Sequence, residues 1–118
     1  MISYICIRNC GMGTASYSVL KKSLFRRLRS YAVTMGERGE DGYTISVSTD
    51  ESLTDDRYRI AFSLHGAVIL AANDCAVHAA VGRLLLESFF DGRGMFVPPE
   101  AGKIIDFTPA KPIRGMYL

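Results

Sequence analysis

Cys10, Gly11, Met12, Gly13, Thr14 and Ser16 stand where a short apolar run, Ile2 to Arg8, gives way to a helical period. This is the first place where residue types and spacing suggest chemistry. A helix that starts after a strand presents backbone N–H groups and the positive end of its dipole, both of which favour anions. The familiar phosphate loops do not fit. A dinucleotide fingerprint needs a third glycine where Ser16 stands, and a Walker loop needs a Gly-Lys-Ser/Thr that is absent. A phosphatase-type loop would need an arginine at position 16, again occupied by Ser16. A plain tight turn is the competing reading.

Elsewhere the chemistry-bearing residues are dispersed. His65 and His78 have no acid or nucleophile paired with them in sequence and read as surface or packing residues. The three cysteines, Cys6, Cys10 and Cys75, form no CxxC and share no ligand spacing with the histidines, so neither a zinc site nor another cofactor is expected. No pair of carboxylates closes an apolar strand as glycosidic acid/base work requires. Asp74 reads as part of a helix cap and Glu87 as a helix-surface residue. Cysteine usage points to a reducing compartment, the cytoplasm. No apolar run approaches the ~18–20 residues that span a bilayer, and the first residues do not read as a secretory signal.

Charge is distributed unevenly over the 118 residues. Positions 1–36 carry +6, positions 37–56 carry −6, and the whole chain returns to +2. Lys21, Lys22, Arg26, Arg27 and Arg29 are interleaved with apolar residues at helical spacing. They read as a solvated helix face partly neutralised by the acidic loop that follows, and not as a nucleic-acid footprint. Neither nucleic acid nor a membrane is expected as a partner.

The elements that must position these residues follow from periodicity. Ile2 to Arg8 is β-branched and apolar, as a buried strand is. Tyr17, Leu20, Leu24, Leu28 and Tyr31 recur every three or four residues from Thr14, predicting a helix that ends near Met35 and Gly36. Tyr43 to Ser48 alternates as a half-buried strand does, and residues 58–72 predict a β-hairpin with Gly66 in its turn. Asn73 and Asp74 open a second helix with Val77, Val81, Leu84, Leu85 and Phe89 on its inward face, closed by Asp91 and Gly92. The order β-α-β-β-β-α, followed by an extended tail, predicts a two-layer α+β domain: one mixed sheet with both helices packed on it.

Two resemblances attach to these motifs. The Cys10 loop resembles the phosphocysteine loop of the enzyme IIB components of sugar phosphotransferase systems, which implies a phosphoryl carrier with Cys10 as nucleophile. In this chain the cysteine directly precedes Gly11, and the hairpin departs from an all-parallel IIB sheet. The longer resemblance runs from Tyr58 to Leu118. Tyr58-Arg59-Ile60-Ala61-Phe62, the Gly66–Asp74 run and Ala79–Glu87 are similar to the α/β domain that precedes the catalytic barrel of certain glycoside hydrolases. So are Val97-Pro98-Pro99 and Pro112-Ile113-Arg114-Gly115-Met116. The β-N-acetylhexosaminidases of family 20, the α-glucuronidases of family 67 and the family 84 enzymes carry that domain.

This second resemblance implies an accessory domain over residues 1–108, with 109–118 a linker and the opening of a first barrel strand. It implies that the catalytic acids belong to the barrel, so that none of the present residues is catalytic, and that Arg114 stands at the domain–barrel junction. The implied partners are the following barrel of the same parent chain and, through it, a carbohydrate. Pro109 and Pro112 keep the tail extended, so it is expected to be ordered only by contact with another surface.

Overall fold

Alternation of large apolar side chains with small or polar ones builds the long strands of the molecule. A computed structural model describes residues 4–30, 33–35, 42–91 and 95–108. The elements are β1 (Tyr4–Asn9), α1 (Thr14–Ser30), β2 (Thr34–Met35), β3 (Gly42–Thr49) and β4 (Tyr58–Phe62). They continue with β5 (Gly66–Ala71), α2 (Asp74–Leu86), β6 (Phe89–Phe90), β7 (Phe96–Val97) and β8 (Ile104–Phe107). Six strands form one sheet in the order β2-β1-β3-β5-β4-β8, while β6 and β7 make a separate antiparallel ribbon. β2, β1, β3 and β5 run parallel; β4 is antiparallel to β5, and β8 to β4. A mixed sheet carrying two helices is the α+β architecture that the sequence predicts.

Period-2 geometry sends alternate residues of each strand to opposite faces. On one face Ile5, Tyr43, Ile45, Val47, Ile60 and Ile69 are completely buried. They join Leu20, Leu24 and Leu28 of α1 and Val77, Ala80, Val81 and Leu84 of α2 in a single hydrophobic cluster. Three leucines at four-residue spacing give α1 one apolar stripe, and both helices use theirs against the same side of the sheet. The helices also meet each other: a Cβ built on Gly82 would lie 3.5 Å from the Arg27 guanidinium. Tyr43 reaches Phe96 with ring centroids 5.3 Å apart, and Phe96 reaches Phe90 at 5.3 Å, so the β6–β7 ribbon caps the core. Among the described residues the buried Tyr43 hydroxyl has no hydrogen-bond partner, and burial pushes its pKa up to about 12. The other face of the sheet has no helix on it among the described residues. Val68 and Ile104 are 55% and 59% exposed there.

Several boundaries differ from expectation, each for a local reason. α1 ends at Ser30 and not near Met35, because Val33 N–H bonds back to Leu28 O at 3.0 Å and Thr34–Met35 pair in parallel with Tyr4–Ile5. Gly66 is the first residue of β5 and not a turn residue. The connection is closed by Ser63 N–H on Gly66 O at 2.8 Å, and a Cβ at Gly66 would fall 2.3 Å from Thr44 O. The glycine is there because two backbones approach closely. α2 ends at Leu86, with Glu87 as its C-cap; Phe89 leaves the core and is 63% exposed.

The stretch after residue 95 holds more structure than a tail. β8 is the sheet's edge, with Phe107 stacked on Tyr58 at 4.8 Å between centroids. Gly102, at φ +94°, makes the turn that brings its own N–H to Phe62 O. Tyr31 and Pro109 to Leu118, Arg114 among them, lie outside the described residues. Among the described residues no helix is long and apolar enough to cross a membrane.

Candidate functional site

The loop from Cys10 to Gly13 is held by the protein's own acceptors. Asn9, the last residue of β1, accepts from Gly11 N–H at 3.0 Å and Met12 N–H at 2.7 Å, and its amide donates to Met12 O at 2.9 Å. Cys10 N–H donates to Val47 O at 2.8 Å. Gly13 N–H faces the Asp74 carboxylate at 3.5 Å. Thr49 adds a hydroxyl donor to Gly11 O at 2.9 Å. All four amides of the turn are therefore directed at protein oxygens, and a carboxylate from the first turn of α2 already sits at the positive end of α1. The glycines have packing reasons: a Cβ on Gly13 would lie 3.0 Å from Asp74 Oδ2, and one on Gly11 would lie 3.3 Å from Ser48 Cβ. Cys10 itself is exposed, Met12 is buried beneath it, and the mixed sheet differs from the all-parallel sheet of IIB components. This geometry lends the phosphocysteine reading no support and accounts for the turn as a structural one.

The other chemistry-bearing residues are not brought together. Among the described residues no group of three or more His, Cys, Asp and Glu could hold a metal ion. His65 is exposed in the β4–β5 connection, and His78 is half-buried on α2. Cys10 and Cys75 are exposed thiols, and Cys6 is buried. Asp74 works as expected in the first turn of α2, with Asn73 as the N-cap accepting from Ala76 N–H at 2.9 Å. Glu87 pairs with Arg83 at 3.0 Å and with Lys103 at 3.6 Å, and the Arg83 hydrogen bond, helped by Lys103, holds its carboxyl below the usual range. Asp106 is held below its usual value by a hydrogen bond from Arg59 at 2.8 Å. These pairs tie β8 and the segment before it to β4 and α2, which is structural work.

What the fold does assemble is a hollow on the bare face of the sheet, about 920 Å³, at the edge of β1 beyond the two-residue β2. Thr44 and Ser46 of β3 and Ser63 after β4 line it with hydroxyls, while Arg8, Lys21 and His65 supply its basic groups. Phe25 of α1 and Val68 of β5 add apolar surface. Lys21 and Phe25 also belong to a groove of about 500 Å³ along α1, lined further by Lys22, Arg26 and Arg29. Among the described residues no carboxylate lines either depression. The arrangement can attract and hydrogen-bond an anion, and its described lining contains no acid to exchange protons with a substrate.

Sequence reasoning missed this surface. The alternation of Thr44, Ser46 and Ser48 announces a polar face, but placing that face beside Arg8 and the basic flank of α1 requires the tertiary fold. Arg27, grouped by sequence with the other bases, instead lies against α2. No known family model matches the chain, and no curated protein is significantly similar to it.

Proposed function

We propose that the chain is a non-catalytic accessory domain of a glycoside hydrolase, packing against and supporting a (β/α)₈ catalytic barrel that follows it in the parent protein. One observation carries the reading: the described residues on which the family resemblance rests form one continuous half of the fold, and the key ones have structural tasks. Ile60 and Phe62 are core residues of β4, and Tyr58 carries the edge strand through Phe107. Gly66 permits the approach of β5 to β3, and Asn73 caps α2. Val97 belongs to the ribbon that covers the core. None of them converges with another titratable group into an acid/base pair, which glycoside hydrolysis normally needs. Fold alone never specifies activity; here motif and structural task coincide, which supports the accessory-domain reading.

We propose the cytoplasm as its compartment, because three cysteines with no CxxC are the usage of a reducing environment and not of a disulfide scaffold. The residues encoded after Leu118 provide the test. Strands alternating with helices over a barrel's length support the reading, and a stop codon at that point overturns it. The isolated chain should not turn over aryl N-acetylglucosaminides or glucuronides; measurable turnover would also overturn it.

A further inference from the structure

We propose that the hollow on the bare sheet face and the adjoining flank of α1 form a binding surface for an acidic oligosaccharide, one bearing carboxylate or sulfate groups. The choice of a carbohydrate rests in part on the accessory-domain reading; the charge and hydroxyl pattern stand on their own. Arg8, Lys21, Lys22, Arg26 and Arg29 line two depressions that share Lys21 and Phe25, so their charges form one continuous track. Among the described residues none of the five has an ion-pair partner; the ion pairs there involve Arg59, Arg83 and Lys103. Lys22, Arg26 and Arg29 recur at intervals of about one helical turn, ~5.4 Å, which suits a linear ligand carrying repeated negative charge.

The hollow at the end of this track supplies different chemistry. Thr44, Ser46 and Ser63 offer hydroxyls, and His65 offers ring nitrogens, for sugar hydroxyl groups. Ser63 Oγ already donates to Gly66 O at 2.8 Å, which leaves it an acceptor. Phe25, 49% exposed between the two depressions, carries the Arg29 guanidinium 5.9 Å from its ring centroid and adds apolar surface for the C–H groups of a pyranose. A single-stranded nucleic acid is served by several aromatic platforms on which successive bases stack. Among the described residues Phe25 is the one phenyl ring lining the track. Beside the cations and His65 the polar side chains are hydroxyls, so the surface favours a sugar polymer over a nucleic acid.

The test is direct titration of the folded chain with a fluorescently labelled hexasaccharide of alternating glucuronate and N-acetylglucosamine. A neutral N-acetylglucosamine hexasaccharide and an oligodeoxythymidylate serve as comparison probes. Saturable binding of the acidic oligosaccharide, weakening between ~50 and ~200 mM salt as an ion-pairing interaction must, is the expected result. Arg8→Ala with Lys21→Ala, and Lys22→Ala with Arg26→Ala, should each weaken it about tenfold or more, the scale of losing charge-assisted contacts, while Lys103→Ala leaves it unchanged. These side chains are exposed, and an unchanged melting temperature verifies that the variants fold. Equal affinity for the neutral oligosaccharide, tighter binding of the oligodeoxythymidylate, affinity unmoved by the double substitutions, or no binding at all would each overturn the proposal. The two readings fail separately. A stop codon after Leu118 ends the accessory-domain reading without touching the titration, and a failed titration leaves that reading in place.

Discussion

The two faces of the sheet come from the same strands and answer to different demands. Facing the helices, Ile45, Val47, Ile60 and Ile69 are wholly buried; facing away, Thr44 and Ser46 are half-buried, and Arg59 and Val68 are exposed. Burial of apolar surface is the main favourable term in folding, so the first face carries the stability. Away from Gly66 and the Arg59–Asp106 pair the second face could be filled in many ways at little cost, and burial does not explain its Thr44 and Ser46 hydroxyls or Arg8. Stability and ligand chemistry are separated by the thickness of one sheet.

Paired substitutions at neighbouring positions of β5 test this contrast most severely. Ile69→Ala should cost about 3–4 kcal/mol through lost transfer energy and the cavity left behind. Val68→Thr, one residue away on the other face, should stay within about 0.5 kcal/mol of the parent. Urea denaturation of both variants measures the difference, and comparable losses would erase the distinction between the faces. Gly66→Ala sharpens it from the other side, since here the bare face is intolerant. The added Cβ would meet Thr44 O at 2.3 Å, which demands a backbone shift costing about 2–3 kcal/mol. Tolerance of alanine there would show that β3 and β5 approach less closely than that 2.3 Å contact implies. Smaller again, Asn73→Ala removes the side-chain oxygen that accepts from Ala76 N–H, for a loss of about 1 kcal/mol. Asn73→Asp keeps that acceptor but replaces the amide that donates to Asp56 at 2.7 Å with a second carboxylate, so it should recover only part of the loss.

The same division explains what could be read from the sequence. The covered face was legible because burial imposes periodicity: the leucines of α1, the alternation in β4 and the cap at Asn73 all reappear in the fold. β2, β6, β7 and β8 were missed because strands of two to four residues carry too few alternations to register, and they are specified by their partners. Phe89 was misplaced for a related reason. Helical spacing continues through it, but Glu87 N–H and Ser88 Oγ bond back to the last turn of α2 and end the helix first. The bare face left no comparable trace, since hydroxyls and cations at alternate positions look the same whether they meet solvent or a ligand. The Cys10 loop reads in sequence as a tight turn beside a phosphocysteine resemblance, and the engagement of its amides is visible only through Asn9 and through Asp74, 61 residues distant from Gly13.

The smallest effect expected belongs to the ion pairs at the edge of the sheet, and pH is the way to read it. Asp106 is held below its ordinary value chiefly by the hydrogen bond from Arg59, Glu87 chiefly by that from Arg83, and Asp50 chiefly by that from the Ser52 hydroxyl. A carboxyl whose pKa is lower in the folded than in the unfolded chain releases its proton more readily when folded. Its contribution is therefore complete above the unfolded value, about 4, and is lost as pH falls through the depressed folded value. None of the three groups is buried, so the contribution of each is screened and small. Urea midpoints should accordingly be level from about pH 5 to 7 and decline below about pH 4. Asp106→Asn should flatten part of that decline, and added salt should reduce the difference between variant and parent. If the acid limbs of Asp106→Asn and the parent superimpose, the Arg59–Asp106 pair contributes nothing. β8 would then be held by its backbone ladder to β4, by the burial of Ile105 in the core and by the Tyr58–Phe107 stack, and the bare face would be without energetic weight at its edge.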